Sequence, residues 1–289
     1  MLKTRLLVGA LIAFGAPFIA SAQCPAGVTP ANYLIGKTWA FRLTGPPPII
    51  SLTSAIGTFT GVAPGYLSIV ETVVDVLNSN QISRQAPATG RWSVNSSCSG
   101  GELQFMLNRE FFTIQFTLAD AGTTMNLSGL VDRTIPVIFP RGYPLMGIAR
   151  LSPPRACPAG LGNPHNLLNG VKYAYTATGG GYIENGVLTG SFPNPAAYSG
   201  NLSIDRTVID VAGIRGFEPN YPTQGRYTIY GDCSGGSLAL NANRKSIQVE
   251  FVFSKADFSE LFFLGDDLLQ VNNPFTFSWL PYAGIATRQ

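Results

Sequence analysis

Leu103, Phe105 and Leu107 alternate with Glu102, Gln104 and Met106, and Phe112, Ile114 and Phe116 alternate with Thr113 and Gln115. A period of two marks strands with one buried and one wet face. The signal returns further along in Leu238 and Leu240, then in Ile247, Val249 and Phe251 against Gln248 and Glu250. Trp92 and Val94 likewise share a face, with Arg91 and Ser93 opposite. Asn108-Arg109 and Asn243-Arg244 fall between such runs, where a hairpin connection is expected. Helical periodicity is scarce, and Asp257–Phe262 is the stretch that reads as a short helix.

The second set of strands repeats the first. GRWSVNSSCSGG (90–101) returns as GRYTIYGDCSGG (225–236), and LSIVETVVDV (67–76) returns as LSIDRTVIDV (202–211). CPAG (24–27) recurs at 157–160, GKTWAFRLTG (36–45) parallels GVKYAYTATG (170–179), and Gly147-Ile148-Ala149 parallels Gly284-Ile285-Ala286. The order is collinear, so the chain is an internal duplication. Its units are residues 23–151 and 156–289, joined by a short, stiff linker, Ser152-Pro153-Pro154-Arg155. Each unit, at about 130 residues, is large enough to bury its own core. Roughly eight short strands per unit fit a sandwich or a small barrel. The predicted fold is all-β: two tandem homologous antiparallel β-barrel or sandwich domains.

The N-terminus changes the compartment. Lys3 and Arg5 precede an apolar run from Leu6 to Ile19 and then Ala20-Ser21-Ala22. This is the pattern of a secretory signal peptide over residues 1–22, with cleavage after Ala22. Gln23 before Cys24 is unlike a lipoprotein signal, which wants a small residue there. The expected location is therefore secreted, extracellular or periplasmic.

Charge adds exclusions. The signal holds two of the 19 basic residues and none of the 16 acidic ones, so the mature chain is nearly neutral. No Lys/Arg-rich run remains as the footprint of a nucleic-acid binder. No second apolar stretch approaches the length of a membrane-spanning helix. An outer-membrane barrel is also disfavoured, because Thr287-Arg288-Gln289 lacks the usual terminal aromatic residue.

Four cysteines in an exported chain point to disulfides, and the repeat favours Cys24–Cys98 and Cys157–Cys233 among the three pairings. Their wide spacing argues against a metal site, and no cofactor motif is present. GDCSGG (231–236) resembles a serine-protease nucleophile loop, but a cysteine interrupts it. The single histidine, His165, reads as a solvated loop residue rather than a base. Glu71 and Asp75 would share a face of one strand, yet Arg206 replaces Glu71 in the second copy, so a structural role is favoured. Arg91 and Arg226 begin the motif strands and suit surface ion pairs better than an anion site.

The pattern G-x-[WY]-[ST]-[VI]-x-x-x-C-S-G, at 90–100 and 225–235, resembles a motif of secreted bacterial proteins of uncharacterised function. The likeness extends to an opening aromatic strand, Trp39-Ala40-Phe41 or Tyr173-Ala174-Tyr175, and implies export without an activity. A weaker likeness is to lipocalin or calycin barrels, which open with G-x-W. Here the spacing is one residue longer in Gly36-Lys37-Thr38-Trp39, and Gly170-Val171-Lys172-Tyr173 lacks the tryptophan. The resemblance implies calycin-like barrels and keeps an allene-oxide-cyclase type of enzyme in view.

These readings converge on a secreted, non-enzymatic barrel protein that binds a small apolar ligand in one or both domains. The lining would be Trp39, Phe105, Phe112 and Phe116 in the first copy and Tyr173, Ile247 and Phe251 in the second. Solid cores at the same positions are the plain alternative. The other functional classes are a structural or adhesive exported module, and a cofactor-free isomerase or cyclase with Asp75, Asp210 or an arginine as its polar handle.

Overall fold

The computed structural model describes residues 24–45, 53–75, 81–107, 110–132, 142–152, 156–179, 182–210, 217–242, 245–267 and 280–289. The signal peptide expected at 1–22 lies outside them. The first repeat contributes β1 (Thr38–Thr44), β2 (Thr53–Ala63), β3 (Tyr66–Asp75), β4 (Gln81–Val94), β5 (Gly100–Leu107), β6 (Glu110–Ala119), β7 (Thr124–Val131) and β8 (Tyr143–Ser152). The second contributes β9 (Lys172–Gly179), β10 (Tyr182–Ser191), β11 (Gly200–Asp210), β12 (Phe217–Ile229), β13 (Gly235–Ala242), β14 (Lys245–Phe253), β15 (Glu260–Asp267) and β16 (Leu280–Arg288). Within each repeat every strand pairs antiparallel with the next, β8 returns to β1 and β16 to β9, and two closed barrels result. Closure removes the unpaired sheet edges that a sandwich would leave.

The alternating residues fill the lumens. Phe105 and Phe112 face each other across β5 and β6 and stack with ring centroids 4.9 Å apart. Leu103, Ile114 and Phe116 join them in the first core, and Leu238, Leu240, Ile247, Val249 and Phe251 take the matching places in the second. Outward positions such as Gln115 and Ser128 are polar and exposed. The outer face also exposes apolar side chains, among them Tyr66, Met106, Leu130 and Met146. Among the described residues, no helix is long and apolar enough to cross a membrane.

One end of each barrel is sealed by the repeated motif. Cys24 is bonded to Cys98 and Cys157 to Cys233, the pairing that the duplication favours, which ties each incoming segment to the turn after β4 or β12. Trp92 donates its indole N–H to the carbonyls of Ala63 and Tyr66, at 3.2 and 3.0 Å. Its counterpart Tyr227 donates its hydroxyl to the His165 carbonyl at 2.9 Å. The paired glycines after each cysteine are required by close approach: a Cβ on Gly101 or Gly236 would sit 2.0 Å from the carbonyl oxygen of Ser93 or Thr228. The motif is thus a device for closing a barrel end.

Two expectations are corrected. Asp257–Phe262 is not a helix; a turn leads into β15, where Phe262 points outward and Phe263 into the lumen. The alternation there is obscured because both faces are apolar, one for the lumen and one for the other barrel. His165 is not solvated either. It is buried beneath Tyr227, stacks on Phe192 at 5.1 Å, and places Nδ1 2.7 Å from the Asn163 side-chain oxygen.

The barrels pack side by side. Ala40 and Ile56, on the outer face of the first, meet Val252, Phe262, Leu264 and Ala283 of the second. Ion pairs flank this patch: Arg84 with Glu250 at 3.0 Å, and Arg150 with Glu260 at 2.6 Å.

Candidate functional site

The residues predicted to line a ligand cavity are all buried: Trp39, Phe105, Phe112 and Phe116 in the first barrel, and Tyr173, Ile247 and Phe251 in the second. They are packed against one another. The space left between Phe41, Phe59, Phe105 and their neighbours is about 10 Å³, and that beside Tyr175, Phe251 and Phe263 about 20 Å³. Each has room for roughly one water molecule.

The first lumen nevertheless carries buried polar groups that an apolar core does not explain, among them Glu71 and Glu110 at inward positions of β3 and β6. On β3, Leu67, Ile69 and Val73 point inward, and the same alternation carries Glu71 inward with them. Its partner across β2 is Gly57, where a Cβ would lie 2.8 Å from the Glu71 Cβ. On the other side it pairs with Ala86. Glu71 is 1% exposed, and neither carboxyl oxygen has a hydrogen-bond partner. Burial alone pushes its pKa up from 4.5 to about 8. The carboxyl is therefore mainly protonated at neutral pH, because desolvation penalises the charged form.

The second barrel treats the same level differently. Arg206 pairs with Gly186 as Glu71 pairs with Gly57, which puts the two side chains at one register position. Glu184 stands where the first barrel has Ala55, and Tyr175 where it has Phe41. Arg206 Nη1 lies 3.1 Å from a Glu184 carboxylate oxygen, and the Tyr175 hydroxyl donates to the other oxygen. All three are buried. A carboxylate, a cation and a phenol are thus joined in one lumen, while the Glu71 carboxyl in the other has no hydrogen-bond partner.

A cleft of about 230 Å³ lies between the barrels, with Thr58, Thr72 and Gln85 on one side and Tyr230, Asp232, Ser234 and Glu250 on the other. Its polar groups are largely paired among themselves. Tyr230 donates to Glu250, which also holds Arg84, and Ser234 donates to Asp232 at 2.7 Å. The Tyr230 hydroxyl is held well above its usual pKa by burial and by Glu250. Glu71 also borders this cleft, although its Cβ points to the lumen.

The remaining sequence candidates do not assemble a reactive set. Asp75 and Asp210 close β3 and β11, and their side chains lie outside the described residues. Arg91 and Arg226 are exposed on the outer faces, away from both lumens. Burial lowers the pKa of His165, and its ring is occupied in sealing the second barrel. Among the described residues no group of His, Cys, Asp and Glu could hold a metal ion. The signal for Glu71 was present in the sequence. It is the one charge in an inward series, and it reverses sign between two otherwise similar strands.

No protein-family model matches the chain, and no curated protein matches it. Solved structures of similar shape include a redesigned β-barrel, 17% identical over 45% of this chain and 100% of that one, with a TM-score of 0.30. Kievitone hydratase from Nectria haematococca is 8% identical over 93% of this chain and 91% of its own, at a TM-score of 0.31. Transferrin binding protein B from Neisseria meningitidis is 9% identical over 83% and 66%, at 0.29. Similarity at this level does not extend to function.

Proposed function

We propose that the protein is a secreted, non-enzymatic binding protein whose first barrel, closely packed when empty, opens to take one small, largely apolar molecule at Glu71. The second barrel is then its filled structural partner. The observation that carries this reading is the Glu71 carboxyl, buried among apolar side chains with both oxygens unpartnered. Buried polar groups are almost always hydrogen-bonded, and each exception calls for an explanation, a missing partner being one. A ligand with an apolar body and one polar end supplies such a partner, as in other barrel lumens. The calycin-like opening of each repeat is in keeping with it.

The test is native mass spectrometry of the purified chain, with organic extraction of whatever accompanies it. One small molecule per chain is expected, lost in Glu71→Leu and kept in Gly231→Ala, where an added methyl meets nothing within 4 Å. Empty protein that also binds no added apolar molecule overturns the reading. That result supports a structural or adhesive module, the reading favoured by the close packing of the described lumens.

A further inference from the structure

We infer that a groove on the outer face of the first barrel binds a small organic anion, with Arg91 on its anionic group and Tyr66, Met106 and Phe111 against its apolar body. The groove lies apart from Glu71 and does not rest on the binding role proposed above. It comes from an early parting of two strands. β4 pairs with β5 only from Gly90–Phe105 to Val94–Gly101, although β4 runs back to Gln81 and β5 runs on to Leu107. Met106 and Leu107 continue the ladder to β6 but not to β4. Pro87, further back on β4, brings no N–H with which to extend it. The parting leaves a groove of about 870 Å³ whose floor reaches the inward positions Ala88, Gly90 and Phe105. Small-molecule sites span roughly 300–1,000 Å³.

Its rim is amphipathic. Tyr66 and Met106 are each more than half exposed, Phe111 is exposed as well, and all three line the groove with Arg91. Large apolar side chains gathered in one groove, rather than scattered singly, mark an interaction surface. Arg91 supplies the charge. It is exposed and makes no ion pair or side-chain hydrogen bond among the described residues, so the surface ion pair expected from the sequence is not formed there. Glu102, on the same face, is engaged by Gln104 and Gln115 instead. The second copy gives an internal contrast. Arg226 keeps the register position of Arg91, but Asn201, Asn241 and Ser246 stand where the first barrel has Tyr66, Met106 and Phe111. There the ladder also runs one rung further, to Gln224–Asn241. The cation is thus common to both barrels, while the apolar walls and the earlier parting belong to the first. An anion suits the unpaired guanidinium, whose forked N–H groups match a carboxylate in charge-assisted hydrogen bonds. The apolar body would cover side chains that water now meets.

Isothermal titration calorimetry on the full mature chain at neutral pH tests this with 2-naphthoate and its neutral analogue 2-naphthalenemethanol. Naphthoate should bind once per chain, at least tenfold tighter than the alcohol. Arg91→Gln should lose that preference while still binding the alcohol. Met106→Asn with Phe111→Ser, which copies the second barrel, should weaken both ligands. These side chains are exposed, so the variants should melt as the natural chain does. Arg226→Gln and Glu71→Leu should bind naphthoate unchanged. If the alcohol binds as tightly as naphthoate, the anion is overturned. If naphthoate is lost in Glu71→Leu and kept in Arg91→Gln, it sits in the lumen and the groove is overturned. If neither ligand binds, the groove is overturned and the reading of Glu71 is not affected.

Discussion

Glu71 and Arg206 occupy one register position in two copies of the same barrel, and they carry opposite charges into the two lumens. Arg206 arrives with a partner, since Glu184 lies 3.1 Å away, and Glu71 arrives with none. Duplication makes the comparison internal: the backbone, closure and sealing motif are shared, so the difference resides in a few side chains. The first lumen holds a desolvated carboxyl without a hydrogen-bond partner where the second holds an ion pair.

Glu71 makes stability depend on pH. Its pKa is raised from 4.5 in the unfolded chain to about 8 in the folded one, so folding favours the protonated form. That contribution is fully present below about pH 4.5 and is lost as pH rises through about 8. Over the window it amounts to roughly 3–5 kcal/mol. Melting temperatures between pH 5 and 9 should fall more steeply for the natural chain than for Glu71→Gln, with the two converging at low pH. Parallel curves would mean that the carboxyl is not desolvated.

Arg206→Met should be strongly destabilising. It leaves Glu184 buried without its cation, and breaking a buried pair from one side typically costs about 3–5 kcal/mol. The double variant Glu184→Gln with Arg206→Met should recover much of the loss. Urea unfolding of the natural chain, each single variant and the double gives the coupling energy directly. A coupling near zero would show that the pair is not formed.

The contact between the barrels is expected to make them unfold together. Phe262 is fully buried in the patch it shares with Ala40 and Ile56, and truncating a buried phenylalanine costs about 3–5 kcal/mol. Phe262→Ala should split one thermal transition into two and increase the radius of gyration in solution scattering. Each lumen should keep its aromatic near-ultraviolet signal, because Phe262 points away from it.

Gly236→Ala tests the sealing motif. The added methyl would sit 2.0 Å from the Thr228 carbonyl oxygen and 2.7 Å from the Phe251 ring, so β12 and β13 would have to separate. Overpacking of this kind costs about 1–3 kcal/mol. Chemical denaturation should show the loss. Gly231→Ala, which meets nothing within 4 Å, should leave stability nearly unchanged.

Much of this architecture was written locally. The alternation of Leu103, Phe105, Phe112, Ile114 and Phe116 marks strands because side chains point to opposite faces at every step. The recurrence of the CSGG blocks announced two copies, and it also selected the cysteine pairing, since each copy had to be tied alike. These features depend on near neighbours or on comparing the chain with itself.

The tertiary structure decided the rest. Period-two alternation suits a sandwich as well as a barrel; only the pairing of β8 with β1 and of β16 with β9 closes the sheets. His165 looked solvated beside a proline, but the ring it stacks on belongs to Phe192, beyond two strands. Phe262 looked helical because its second apolar face serves the other barrel. Sequence marked Glu71 as a charge exchanged for Arg206, yet could not say that one would be paired and the other alone. Those outcomes depend on which strands become neighbours around a closed lumen. The partners lie far apart in the chain, where no local pattern records them.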